Sequence, residues 1–239
     1  SSQSRGLGDV YKRQDYAEET EAKTSTGRVT VYKHNETTES WDEMGDSIYG
    51  PIDNSHAGYS VSLSHDGLKL AVGMPNYDPT ENTNNRGMVR IYQYSDEGNG
   101  QWVQMGSDVL GLEASERFGH SVSLSGDGST VAIGAPSFND KVRVFKWSAY
   151  ITSENSSENS STSGTWEEVG SSPFQHISGT YDDDTGYSVS LNHNGKVIAI
   201  GVPNENMTKV YEQNESGDGW VQIGSDINGE EHDTSGWSV

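Results

Sequence analysis

The sequence predicts an all-β protein of repeated four-stranded antiparallel units, and three observations lead there. First, a Gly-aromatic-Ser-Val opening recurs at Gly58-Tyr59-Ser60-Val61, Gly119-His120-Ser121-Val122, Gly186-Tyr187-Ser188-Val189 and Gly236-Trp237-Ser238-Val239. Second, the first three openings each run through a Ser-Leu strand and an Asp-Gly or Asn-Gly turn to Gly-x-Pro, at Gly73-Met74-Pro75, Gly134-Ala135-Pro136 and Gly201-Val202-Pro203. Third, hydrophobic residues alternate with small ones, the period of a half-buried strand. Repetition on this scale sets the architecture before any local assignment does.

The elements follow in order within one unit. Strand A is predicted over Ser60 to Ser64 and strand B over Leu68 to Val72, with Val61, Leu63, Leu70 and Val72 on one face. Ser60, Ser62, Ser64 and Ala71 take the other face. His65-Asp66-Gly67, Gly126-Asp127-Gly128 and His193-Asn194-Gly195 join A to B as tight hairpins, because Asp-Gly and Asn-Gly accept the positive φ such turns need. Strand C is predicted over Val89 to Gln93, with counterparts starting at Val29, Val142 and Thr208. Strand D is predicted over Trp102 to Met105, with counterparts starting at Trp41, Trp166 and Trp220. From each Trp to the next Gly opening runs 17, 17, 20 and 16 residues, so the D-to-A connection is read as structural. The Ser/Asn/Glu-rich run from Ser148 to Thr165 reads as a flexible loop, since it cannot bury enough apolar surface to order itself.

Four antiparallel strands per unit, repeated radially, is the pattern of a β-propeller. Val61, Leu63, Leu70, Val72 and their repeats are expected in the core. Trp41, Trp102, Trp166 and Trp220 are expected between blades. The four openings, near residues 58, 119, 186 and 236, amount to about 3.5 to 4 blades, an open arc with uncovered faces at both ends.

Composition narrows the function classes. The 239 residues suit one large all-β domain, and the net charge of −21 opposes binding to nucleic acid or an anionic membrane. Cysteine is absent, which excludes disulfides, thiolate metal sites and a thiol nucleophile. No apolar run approaches the roughly 18 residues of a membrane-spanning helix. Asp9-Val10-Tyr11-Lys12-Arg13-Gln14 resembles the translation of a transposase mosaic-end adapter. Residues 1–14 are therefore set apart as artefactual, and residues 15–239 are read as the propeller segment.

Phe118-Gly119-His120-Ser121-Val122 with Gly134-Ala135-Pro136, and Gly58-Tyr59-Ser60-Val61 with Gly73-Met74-Pro75, resemble the FG-GAP repeat. The Trp-led strand D and the Val-x-Val-Tyr strand C resemble the same class. The resemblance spans residues 15–239 and implies the seven-bladed propeller of integrin α chains, whose members mostly bind other macromolecules. One departure matters: the A-to-B connection holds a single carboxylate, too few oxygens for the six to eight that calcium takes. The calcium site is not carried over, and no metal or cofactor is expected.

No catalytic constellation emerges. Acids cluster before the openings, at Glu113 and Glu116, at Asp182-Asp183-Asp184 and at Glu230, Glu231 and Asp233, and read as solvated linkers. The seven histidines lack metal-ligand spacing; His65 and His193 share a turn position, and His120 replaces an aromatic. All three read as structural. Asn35, Asn155, Asn159, Asn206 and Asn214 begin glycosylation sequons, about as many as this composition produces by chance. Repeat regularity therefore favours a non-catalytic extracellular or cell-surface module that binds protein or carbohydrate. The alternative is part of a carbohydrate-active propeller enzyme, with carboxylates converging near the central channel.

Overall fold

A computed structural model describes residues 10–15, 25–79, 84–137, 141–150, 163–170, 184–230 and 235–239. It is a β-propeller arc of four sheets. Blade I holds β1 (Val10–Asp15), β2 (Arg28–Asn35) and β3 (Ser40–Glu43), with the short β4 (Ile48–Tyr49). Blade II holds β5 (Ser60–Leu63), β6 (Lys69–Met74), β7 (Met88–Ser95), β8 (Gln101–Gln104) and β9 (Val109–Leu110). Blade III holds β10 (Ser121–Leu124), β11 (Thr130–Ala135), β12 (Lys141–Tyr150) and β13 (Ser163–Glu168). Blade IV holds β14 (Val189–Leu191), β15 (Val197–Val202), β16 (Met207–Gln213), β17 (Trp220–Gln222) and β18 (Ile227–Asn228), with a 3-10 turn at Pro203–Glu205.

The recurrent phrase has a physical explanation. Gly58, Gly119, Gly186 and Gly236 take φ of 88°, 90°, 88° and 93°, a region open to glycine. Each of the first three sits in a turn closed by the next residue's amide: Tyr59 to His56, His120 to Arg117 and Tyr187 to Asp184. The glycine of Gly-x-Pro answers a different need. A Cβ on Gly134 would lie 2.0 Å from the Gly186 carbonyl oxygen, and one on Gly73 would lie 2.2 Å from that of Gly119.

Serines then tie blade to blade. The hydroxyls of Ser60, Ser121 and Ser188 donate to the carbonyls of Gly119, Gly186 and Gly236 at 2.7, 2.7 and 2.8 Å. Ser62 and Ser123 accept from the Leu124 and Leu191 amides, both at 2.9 Å. The small face of strand A is thus a hydrogen-bonded seam as well as a packing surface.

The core lies between blades, as predicted. Leu70, Val72, Val131, Ile133, Ile198 and Ile200 are buried, each removing an aliphatic side chain from water at about 1.5–3 kcal/mol. Val61 and Leu63 are only half-buried. They are on β5, and blade I places no inner strand opposite them among the described residues. The Trp expectation holds at three positions. Trp102 and Trp166 donate their indole N–H to the previous blade's Met44 and Met105 carbonyls at 2.7 and 3.0 Å, and Trp220 is buried. Trp41 instead is 46% exposed and packs beside His34.

Other expectations shift. The D-to-A connection is structural because part of it pairs with strand C: β4 with β2, β9 with β7 and β18 with β16. The hairpin of β12 and β13 extends to the Tyr150–Ser163 pair, past both ends of the expected loop, whose remaining residues 151–162 lie outside the described ones. The backbone of β1, made mostly of adapter-like residues, lies antiparallel to β2 where strand B would run. Ladder hydrogen bonds are made by the main chain, so an open strand edge accepts such a segment whatever its side chains.

Candidate functional site

The inner-strand openings build one continuous feature. Ser60 pairs with Gly73, and β9 pairs with the start of β7, so the openings, the D-to-A linkers and the B-to-C loops share one end of the blades. There the rings after each opening glycine stack in an arc. Centroids are 5.0 Å apart for Tyr59–His120, 4.7 Å for His120–Tyr187 and 4.9 Å for Tyr187–Trp237.

His120 is the residue that breaks this series. It is 8% exposed. Its Nδ1 lies 3.3 Å from the Tyr187 carbonyl oxygen, which can only accept, so the proton belongs on Nδ1. Nε2 then accepts from the Tyr59 hydroxyl at 3.1 Å. Burial, helped by the positive charge of Arg117, lowers the pKa of His120 to about 4. The imidazole is therefore neutral at neutral pH.

Two positions before each glycine, His56, Arg117 and Asp184 adopt φ of 55°, 52° and 57°. None is glycine, and a left-handed residue of this kind costs on the order of 1–3 kcal/mol. This position carries a different side chain in each blade. The Arg117 guanidinium lies over the Tyr59 ring at 6.0 Å. Burial raises the Tyr187 pKa, with Tyr59 and Asp184 adding to the rise and Arg117 opposing it. A cation, a carboxylate, two phenols and a neutral imidazole thus face one another across blades II to IV.

A cleft of about 510 Å³ opens at the same end, lined by Ile52, Asp53, Asn54, Asn76, Asp78, Pro79 and Asn85. Asp78 accepts from the Arg86 amide at 3.2 Å, holding one wall.

The sequence-predicted acids separate on inspection. Glu116 is not solvated but 1% exposed, because its carboxylate receives the amides of Leu112 and Glu113 and pairs with Lys141 at 3.6 Å. Glu113 is exposed, as expected. Asp182, Asp183, Glu231 and Asp233 lie outside the described residues. In the hairpins, burial works against the charge of Asp66 and Asp127. Hydrogen bonds from Ser64 and Leu68, and from Ser125 and Ser129, with Lys69 near both, outweigh it and hold both carboxyls below the usual range. These carboxylates are committed to their own turns. Among the described residues no group of three or more His, Asp or Glu side chains is placed to hold a metal ion.

Sequence reasoning noted His120 as a substitution but read it as structural, and missed Arg117 altogether. The available signal was that both vary at fixed repeat positions.

No family model matches this chain, and no curated protein matches it. Solved structures do. A protein assigned as a 6-phosphogluconolactonase from Bacteroides uniformis is 17% identical, with TM-score 0.57, over 88% of this chain and 50% of that one. A second so assigned, from Bacteroides fragilis, is 15% identical with TM-score 0.55 over the same shares. The periplasmic gluconolactonase of Pseudomonas aeruginosa is 16% identical with TM-score 0.51, over 93% of this chain and 55% of that one. These likenesses establish the propeller fold, and the chain spans about half the length of the structures it matches.

They also correct the expectation of a non-catalytic binding or adhesion module, and of no enzyme. The three structures just described are named as lactonases, which are enzymes. Repeat regularity does not argue against catalysis, because it resides in the glycines, serines and tryptophans that build blades. The side chains at the arc, at positions 56, 117 and 184 and at His120, vary freely on that frame.

Proposed function

We propose that this chain carries part of a propeller enzyme that acts on a carbohydrate, with hydrolysis of a sugar lactone as the reaction and the His120 arc as its site. One observation carries the reading. The aromatic series is broken by a neutral, hydrogen-bonded histidine beside a cation, Arg117, at the open end of the inner strands. The lactonase names of structures sharing the fold support it.

The chemistry suits these groups. In lactone hydrolysis the oxygen of water bonds to the carbonyl carbon, the ring C–O bond breaks, and the ring oxygen gains the proton that water gives up. Negative charge gathers on the carbonyl oxygen before the ring opens, and a guanidinium stabilises it. Arg117 fills that role, while the Tyr59 and Tyr187 rings pack against the sugar's apolar faces. His120 fixes the Tyr59 ring by accepting a hydrogen bond from its hydroxyl and stays uncharged beside Arg117, so the cation's field is spent on the substrate.

The test is hydrolysis of gluconolactone and its 6-phosphate, followed with a pH indicator against the spontaneous rate. Acceleration that is lost in Arg117→Met supports the reading. No acceleration by folded protein with either lactone overturns it.

A further inference from the structure

The opposite end of the inner strands holds a second feature, which the proposed reaction does not use. The A-to-B turns of blades II, III and IV lie side by side, because the His65 amide donates to the Gly126 carbonyl and the Gly126 amide to the His193 carbonyl, both at 2.8 Å. The middle turn carries glycine where its neighbours carry histidine. Both imidazoles lean into that space, and their centroids stand 5.3 Å apart at an interplanar angle of 85°. A Cβ on Gly126 would lie 2.0 Å from the His193 Nδ1, so the gap exists only because residue 126 has no side chain.

We propose that His65 and His193 form a two-histidine site for a late first-row transition-metal ion, Cu2+, Ni2+ or Zn2+. Neither ring makes a hydrogen bond or ion pair among the described residues, which leaves the lone pairs available. Both residues are exposed, so an ion bound there keeps water at its remaining positions. Imidazole suits these metals, whereas Ca2+ and Mg2+ prefer oxygen. The neighbouring carboxylates of Asp66 and Asp127 are engaged within their own turns, accepting from Ser64 and the Leu68 amide and from Ser125 and Ser129, so they do not compete as ligands. Lys69, the nearby cation, is tied to the middle turn, its ammonium donating to the Asp127 carbonyl at 2.6 Å. The turn backbones are fixed by the ladder, so binding demands only rotamer adjustment of two exposed side chains.

The experiment is calorimetric titration of the whole chain with CuCl2, NiCl2 and ZnCl2, with millimolar CaCl2 present to occupy the acidic surface. The expected result is one ion per chain, bound more tightly as Cu2+ than as Ni2+ or Zn2+, and weakened roughly tenfold or more in His65→Ala and in His193→Ala. Gly126→Ala should weaken it as well, while lactone hydrolysis stays unchanged in all three variants. Absence of a one-to-one event, or undiminished binding in the His65→Ala/His193→Ala double variant, overturns the proposal.

Discussion

Replacing Gly134 by alanine adds one methyl group where the inner strands of blades III and IV meet. The new Cβ would stand 2.0 Å from the Gly186 carbonyl oxygen and 2.2 Å from the Ser121 hydroxyl. The carbonyl is main chain and cannot swing aside. The hydroxyl is already committed, donating to that same carbonyl at 2.7 Å. Accommodation therefore requires the two blades to part and the Ser121 bond to lengthen. Overpacking of this kind costs about 1–3 kcal/mol, and a lost hydrogen bond adds about 1 kcal/mol. The sum is about 2–4 kcal/mol. Urea unfolding reads it as a lower midpoint at unchanged slope. Ser121→Ala is the companion variant: it removes only the hydrogen bond and should cost about 1 kcal/mol. A Gly134→Ala protein within about 0.5 kcal/mol of the parent would refute the reasoning, because it would show that the seam has room the geometry denies.

Two further predictions concern packing and pH. Trp166→Phe should cost about 1 kcal/mol through its lost bond to the Met105 carbonyl, whereas Trp41→Phe, at an exposed position, should stay within about 0.5 kcal/mol, both read by urea unfolding. His120 has a folded pKa of about 4 against 6.5 for an unperturbed histidine, so between these values the unfolded chain takes up a proton that the folded chain refuses. Stability from this group is thus full above about pH 6.5 and falls as the pH drops toward 4, by on the order of 3 kcal/mol. The difference between parent and His120→Phe unfolding curves isolates it from the hairpin carboxylates. Asp66 and Asp127, with lowered pKa values, lose their contribution only as pH falls through those values. A difference that stays flat from pH 7 to pH 4 would contradict the buried, neutral imidazole.

Much of the fold is legible in the residues because each blade meets the same constraint. Gly119 must adopt a positive φ, Gly134 must leave room for a carbonyl, and Trp166 must reach the preceding blade, so these residues recur. Strand alternation placed Leu70 and Ile133 in the core without coordinates. What escaped was relational. The hydroxyl of Ser60 reads as merely small until the Gly119 carbonyl is placed opposite it. The short strand Val109–Leu110 has no strand-length pattern and owes its pairing to β7. Trp41 shares the Trp-x-x-Met-Gly pattern of Trp102, and their difference in burial arises from what packs against each. The candidate site was least legible, since Arg117 and His120 are departures from the repeat, and a repeat-based reading averages departures away. The histidine pair escaped for the opposite reason: His65 and His193 were read as separate copies of one turn, and only the hydrogen bonds between adjacent turns and the bare Gly126 bring them together.

The most direct measurement of the central claim is kcat/KM for gluconolactone hydrolysis in the parent and in His120→Phe, which restores the aromatic repeat. The account predicts that His120→Phe keeps the parent's circular dichroism while kcat/KM drops by about 100-fold or more, the range expected when a group that orders the reacting site is removed. Equal activity in the two folded proteins would contradict it, because the one residue that interrupts the arc would then have no part in the chemistry.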